Sequence, residues 1–117
     1  MVVDDEASIC RVTQRNLEAH GYKVLTAYNG REALEVFFHN QDNVRLVITD
    51  MMMPGMDGTA TIKALKKTDP KLPVIAISGL EGVHETAESS GAEFQAFLCK
   101  PFKVENLLCT VDEVLHR

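Results

Sequence analysis

Short apolar runs rich in β-branched residues alternate along the chain with longer stretches whose apolar positions recur every three or four residues. The runs Met1–Asp4, Tyr22–Ala27, Val44–Thr49, Pro73–Ser78 and Phe94–Cys99 are mostly continuous rather than alternating. Continuous runs of this length suit strands covered on both faces, as in a parallel sheet. The stretches between them have the helical period. The first spans Ala7 to His20, with Ile9, Val12, Thr13 and Leu17 on its inner face and Gly21 as its stop. The second covers Arg31–His39 after the turn pair Asn29-Gly30 and turns Ala33, Leu34, Phe37 and Phe38 inward. The third begins near Asp57 and presents Ala60, Ala64 and Leu65, and the last carries Val104, Leu107, Leu108, Val111, Val114 and Leu115. Glu81–Ser90 offers only Gly82, Val83 and Ala87 among polar residues, a thin stripe that predicts a helix of low stability.

Strand-then-helix units repeated in this way imply right-handed crossovers and one α/β domain, a parallel sheet with helices on both faces. The length of 117 residues suits a single domain. Charge narrows the function: the net charge is −5 and no basic run occurs, which argues against nucleic-acid binding by this chain. No apolar stretch approaches the roughly 20 residues needed to span a bilayer, and no signal-peptide pattern opens the chain. Cys10, Cys99 and Cys109 have no close Cys-Cys spacing and mostly apolar neighbours. They read as reduced core thiols, which points to a cytoplasmic protein.

Sheets of this class bind ligands beyond the carboxyl ends of their strands. The first predicted strand ends in Asp4-Asp5-Glu6, the third in Asp50, the fourth in Ser78, and the fifth leads into Lys100-Pro101. Singly, each has an ordinary structural reading. Asp4 or Asp5 could cap the following helix, with Glu6 favourable near the positive end of its dipole. Asp50 could open the turn toward Pro54-Gly55, Ser78-Gly79 could be another turn, and Lys100 a surface lysine. Together they make a site. Carboxylates crowded at one edge repel each other unless a cation intervenes, and hard oxygen ligands suit Mg²⁺. A carboxylate beside such a metal can act as nucleophile toward a phosphoryl group. Lys100 would supply an ammonium and Ser78 a hydroxyl to the transferring oxygens. An ordinary carboxylate is already ionised at neutral pH, so this chemistry needs neither a general base nor a histidine.

Four motifs stand in order: V-V-D-D-E at Val2–Glu6, I-T-D-M-M-M-P-G-M-D-G at Ile48–Gly58, I-A-I-S-G at Ile75–Gly79 and K-P-F at Lys100–Phe102. Through them the chain resembles, over nearly its whole length, the receiver domain of response regulators in two-component signalling. The resemblance implies a single-domain, flavodoxin-like (βα)5 fold over residues 1–117 with strand order 2-1-3-4-5 and no output domain. It assigns Asp50 as phosphoacceptor and Asp4 and Asp5 as the acidic pair for Mg²⁺, with Asp5 the direct ligand and Mn²⁺ able to substitute. Met52 would lend its backbone carbonyl to the metal. Ser78 would be the hydroxyl that moves toward the phosphoryl group, Lys100 the ammonium, and Phe97 the aromatic that reports the switch. The Lys100-Pro101 bond would be cis. A histidine kinase or histidine phosphotransfer protein, or a small phosphodonor, would supply the phosphoryl group. An output domain or downstream protein would read the face formed by Glu81–Ser90, the fifth strand and the last helix. Such a domain is not a separate enzyme; it catalyses only its own phosphotransfer and autodephosphorylation.

Some positions depart from the family's commoner pattern. Ser78 stands where threonine is usual, and Phe97 cannot hydrogen-bond as tyrosine would. The chain starts inside the first strand, as an excised or trimmed domain would. The Ser-Gly-Leu after the fourth strand and the late Leu-Leu look like receivers of hybrid kinases. Met52 and Leu80 occupy positions that flank the phosphoryl group in receivers, and neither can orient a water, which predicts a long-lived phosphorylated state. The run Met51–Met53 reads as packing rather than a soft-metal site. His20, His39, His84 and His116 read as solvated, with His39 and His116 near helix C-termini.

Three other functions compete. A phosphatase of the haloacid-dehalogenase type uses an aspartyl nucleophile but wants a second Asp where Met52 stands. A flavodoxin-like cofactor binder needs a phosphate-cradling loop after the first strand, where Asp4-Asp5-Glu6 would repel phosphate. A pseudo-receiver, with the fold but no chemistry, is opposed by the intact acidic set, Ser78 and Lys100.

Overall fold

In the computed structural model, which describes residues 1–53, 55, 58–79 and 94–116, the apolar runs form five strands. They are β1 Val2–Val3, β2 Thr26–Ala27, β3 Val47–Asp50, β4 Val74–Ser78 and β5 Ala96–Cys99. All neighbours pair parallel, as the run pattern predicts, in the order β2-β1-β3-β4-β5 that the resemblance implies. The chain therefore steps outward from β1 to β2 on one side and through β3, β4 and β5 on the other. The order reverses between β1 and β3, and the crevice at their carboxyl ends is the natural ligand position.

Among the described residues the helices are α1 Ala7–Ala19, α2 Gly30–His39, α3 Gly58–Thr68 and α4 Val104–Leu115. The helix expected at Glu81–Ser90 lies outside the described residues, as do Leu80 and His84. No described helix is long and apolar enough to cross a membrane.

Successive strand residues point to opposite faces, and here each face has its own core. Val3, Val47, Val74 and Ala76 join Ala33 and Phe37 of α2 and Ile62 and Leu65 of α3. Val2, Ile48, Ile75 and Ile77 join Cys10 and Leu17 of α1 and Leu107, Val111 and Val114 of α4. Burying each large apolar side chain contributes about 2 kcal/mol relative to leaving it in water.

Local signals set the helix ends. Gly21 adopts φ 90, its N–H donates to Glu18 O at 3.1 Å, and the Tyr22 N–H donates to Leu17 O at 3.2 Å. This is a Schellman stop, with glycine in the left-handed position. At α2 the Asn29 side chain accepts the Glu32 N–H at 2.8 Å. Asn29 is therefore an N-cap and Gly30 already helical, where the sequence suggested a separate turn.

Several inward faces differ from expectation. α1 buries Cys10, Thr13 and Leu17, while Val12 is 57% exposed, because the line of contact with the sheet passes through Cys10. α2 buries Phe37 and exposes Phe38. α3 buries Gly58, Thr61, Ile62 and Leu65 rather than Ala60 and Ala64, so small residues let its first turns approach β3. Of the three thiols only Cys10 is in the core; Cys99 and Cys109 are exposed. Cys99 ends the edge strand β5, and Cys109 lies opposite the buried line Leu107, Val111 and Val114 of α4. His20, His39 and His116 are exposed, as expected. The Nδ1 atoms of His20 and His39 lie 3.0 Å from Asn16 O and 2.7 Å from Glu35 O, and His116 Nε2 lies 3.2 Å from Asp112.

Candidate functional site

Three strand ends converge at the carboxyl edge of the sheet. β1 runs into Asp4 and Asp5, β3 terminates in Asp50, and β5 leads into Lys100. Carboxylate oxygens of Asp4, Asp5 and Asp50 all lie within 4.8 Å of one another. Asp4 and Asp50 are buried, 3% and 5% exposed, whereas Asp5 is exposed.

Lys100 ties the two buried acids together. Its Nζ donates to Asp4 Oδ2 at 2.9 Å and to Asp50 Oδ2 at 3.1 Å, with Glu6 Oε1 farther off at 3.9 Å. Burial by itself lowers the pKa of the ammonium. The hydrogen bonds to Asp4 and Asp50 and their charges outweigh burial, so the pKa is raised above the usual lysine value. A lysine in this position stays charged.

Main-chain donors hold the other carboxylate oxygens. Asp4 Oδ1 accepts the Glu6 N–H at 2.9 Å, and Asp50 Oδ1 accepts the Met52 N–H at 3.0 Å. Both are i to i+2 contacts of the kind that Asp favours at turns. Asp50 is thus both a strand end and a turn acceptor. The residue at the N-cap of α1 is Glu6, not Asp4 or Asp5, and it makes no side-chain capping bond.

Three carboxylates face one ammonium across a few ångströms, an arrangement whose surplus negative charge a divalent cation would offset. The donor set consists of oxygens only, which suits Mg²⁺ or Mn²⁺ over softer metals. Asp5 accepts no hydrogen bond from any described residue, so its oxygens are available to an ion. The residues present fit such a cation.

The ladder register places the remaining candidates. Asp50 pairs with Ile77, and Ser78 pairs with Cys99 immediately before Lys100. Ser78 is fully buried at the end of β4, and its carbonyl accepts the Lys100 N–H at 2.8 Å. Met52 is 51% exposed beside Asp50. Phe97, on β5 opposite Ala76, is partly buried against the α2–α3 core, its ring centroid 5.9 Å from that of Phe94. The Lys100-Pro101 bond is cis, as the resemblance implied.

Two residues without an assigned role also touch the site. Cys10 donates its S–H to Asp4 O at 3.3 Å, with Ala27 O at 3.7 Å, and so ties α1 to the turn bearing the acidic pair. Burial first, then the Asp4 charge, pushes this thiol up to about 11, so it remains a protonated donor. Gly58, the first residue of α3, donates its N–H to Met51 O at 3.3 Å. Its place at the end of a motif was visible in the sequence, but its contact with β3 was not.

Comparison with known proteins agrees with this geometry. A family model described as the response regulator receiver domain matches residues 1–112. The uncharacterized transcriptional regulatory protein YkoG of Bacillus subtilis is 32% identical over 117 residues, which is 100% of this chain and 50% of that protein. The chain spans about half the length of such curated relatives. The crystal structure of a response regulator receiver domain protein from Clostridium thermocellum aligns with a TM-score of 0.90 at 30% identity, covering 99% of this chain and 92% of that one. Chemotaxis protein CheY4 of Vibrio cholerae aligns with a TM-score of 0.87 at 30% identity, covering 97% of this chain and 94% of that one. The chain belongs to the response regulator receiver domain family, the receiving module of two-component signalling.

Proposed function

We propose that this receiver domain accepts a phosphoryl group on Asp50 in a reaction that requires Mg²⁺, and that residues 1–117 act as one signalling unit. The observation that carries the reading is the Lys100 ammonium hydrogen-bonded to both Asp4 and Asp50 at the crevice where strand order reverses. An Asp50 oxygen forms the new bond to phosphorus as the bond from phosphorus to the donor breaks. With a phosphohistidine donor, the electron pair leaves with the imidazole nitrogen. Lys100, hydrogen-bonded to Asp50 at 3.1 Å, would neutralise charge that develops on the transferring oxygens. Asp4, Asp5, Asp50 and the Met52 carbonyl would hold the cation, and Mn²⁺ would substitute. When bound, the ion offsets the repulsion between the carboxylates and the incoming phosphoryl oxygens.

Ser78 would donate its hydroxyl to a phosphoryl oxygen, and Phe97 would follow into the space that Ser78 leaves. Such a step is a packing and charge event that biases a two-state surface. By the resemblance, that surface would comprise Glu81–Ser90, β5 and α4, and an output domain or downstream protein would read it. The donor is a histidine kinase or a histidine phosphotransfer protein in the cytoplasm. Turnover is limited to the domain's own phosphotransfer and autodephosphorylation.

Intact mass after incubation with acetyl phosphate tests the reading. One phosphoryl adduct that needs both Mg²⁺ and Asp50, and is missing from Asp50→Ala, is the expected result. No adduct in the wild type, together with no Mg²⁺ binding by titration, would leave a pure interaction module instead.

A further inference from the structure

The first turn of α3 is pressed against the stretch of backbone that presents Asp50. A Cβ added at Gly58 would stand 2.5 Å from Met51 Cα, 2.6 Å from Asp50 O and 2.8 Å from Met51 Sδ. The two shortest of these distances are to main-chain atoms, so no change of rotamer can relieve them. Gly58 does not have positive φ; among the described residues the glycines that do are Gly21 and Gly55. The requirement here is space, not a left-handed backbone. The Gly58 N–H also donates to Met51 O, so helix and strand end are joined by a bond as well as by contact.

The next link is short. Met51 precedes Met52, whose N–H holds Asp50 Oδ1 at 3.0 Å. Anything that displaces the Asp50–Met51 peptide therefore moves the donor that aims the Asp50 carboxylate. It also moves the Met52 carbonyl. From this geometry we infer that Gly58 is a positioning residue for Asp50: its missing side chain lets α3 brace the peptide that orients the carboxylate. The inference rests on the reading of Asp50 as the phosphoacceptor. Misplacement of a reacting group by about 1 Å can cost on the order of 100-fold in rate, so even a partial shift should be measurable.

The test compares Gly58→Ala with Leu65→Ala in the full chain. Leu65 is buried two turns further along α3, and its truncation should lower stability without touching the Asp50–Met51 peptide. Three quantities are measured well below both melting temperatures: Mg²⁺ affinity by calorimetry, the acetyl phosphate reaction rate, and the Met52 amide proton shift in metal-free protein. In Gly58→Ala, affinity and rate should fall about tenfold or more, with the Met52 amide displaced. In Leu65→Ala all three should stay near wild type. Wild-type values in Gly58→Ala, or equal losses in both variants, would overturn the inference. If Gly58→Ala does not fold, the wild type decides. Its Gly58 amide resonance should move with added Mg²⁺ along the same saturation curve as that of Met52, and an unmoved Gly58 amide would overturn the inference. A wild type that takes no phosphoryl group at all defeats the reading of Asp50 instead, a result distinct from a fast Gly58→Ala.

Discussion

Lys100 Nζ lies 3.1 Å from Asp50 Oδ2, although 50 positions separate the two residues and an entire strand, β4, stands between β3 and β5. The same ammonium reaches Asp4 at 2.9 Å. One lysine thus bridges acids from both sides of the point where strand order reverses. Under the proposed function such a position would give it two separable tasks: compensating the acids at rest and meeting charge on a transferring group.

Replacing Lys100 separates those tasks. In Lys100→Met two buried carboxylates lose their shared cation, which should destabilise the fold by about 3 kcal/mol, the low end for a broken buried pair because Lys100 itself keeps 20% exposure. The acidic set would then attract a divalent ion more strongly, so Mg²⁺ affinity should rise while phosphorylation by acetyl phosphate slows on the order of 100-fold. Denaturant titration, calorimetry and the reaction rate measure the three quantities. A joint fall of affinity and rate would reduce Lys100 to a scaffold for the carboxylates.

The two members of the acidic pair should behave differently. Asp5 is exposed, so Asp5→Asn should leave the metal-free melting temperature within a degree or two while removing most of the rise caused by Mg²⁺. Asp4 is buried and holds both Lys100 and the Glu6 N–H, so Asp4→Asn should lower the metal-free melting temperature as well. Thermal melts with and without Mg²⁺ distinguish them. Equal behaviour of the two variants would contradict the assignment of Asp5 as the direct ligand.

The side chain of Met52 stands 51% exposed next to Asp50 and offers no polar atom that could orient water. Met52→Asn should shorten the lifetime of the phosphorylated form several-fold, and Leu80→Glu combined with it should shorten the lifetime further. Decay of the phosphoryl adduct by mass spectrometry is the measurement. A lifetime unchanged in both variants would mean that solvent access, not these side chains, sets hydrolysis.

The cysteines should divide into two reactive and one inert. Cys99 and Cys109 are exposed and should be modified by a thiol reagent at neutral pH, while Cys10 should react only on unfolding. Because folding raises the Cys10 thiol from its ordinary value of 9.0 to about 11, its contribution to stability is complete below pH 9. Above that the unfolded chain releases the proton first, so the contribution falls between pH 9 and 11. Cys10→Ala should therefore show a flatter alkaline limb of stability than wild type, with a lower plateau at neutral pH. The same slope in both would place the alkaline loss elsewhere.

The site was legible in the sequence because charge interrupts apolar runs at the points where strands must stop. Asp4, Asp50 and Lys100 each follow such a run, and parallel pairing sends all three to one edge. Finer placement depends on neighbours that no local pattern names. Val12 is more apolar than Cys10, yet Cys10 is the one buried, since the contact line runs Cys10, Thr13, Leu17. Cys99 reads as core until β5 is known to be an edge strand with a neighbour on one side only. Gly58 carries no hydrophobic signal at all; its meaning lies in what a side chain there would strike.

The division of the sheet between two cores has a consequence for how such a molecule can change. β3 and β4 are buried along their whole length, with Val47 and Val74 turned to one helical layer and Ile48 and Ile75 to the other. Within β3 even Thr49 spends its hydroxyl on a main-chain partner, the Asp50 carbonyl at 3.1 Å. A polar group introduced midway along either strand would be desolvated whichever way it pointed. Novelty can therefore enter only where a strand runs out, one residue at a time. The interior serves as a fixed chassis on which the rim is free to diversify.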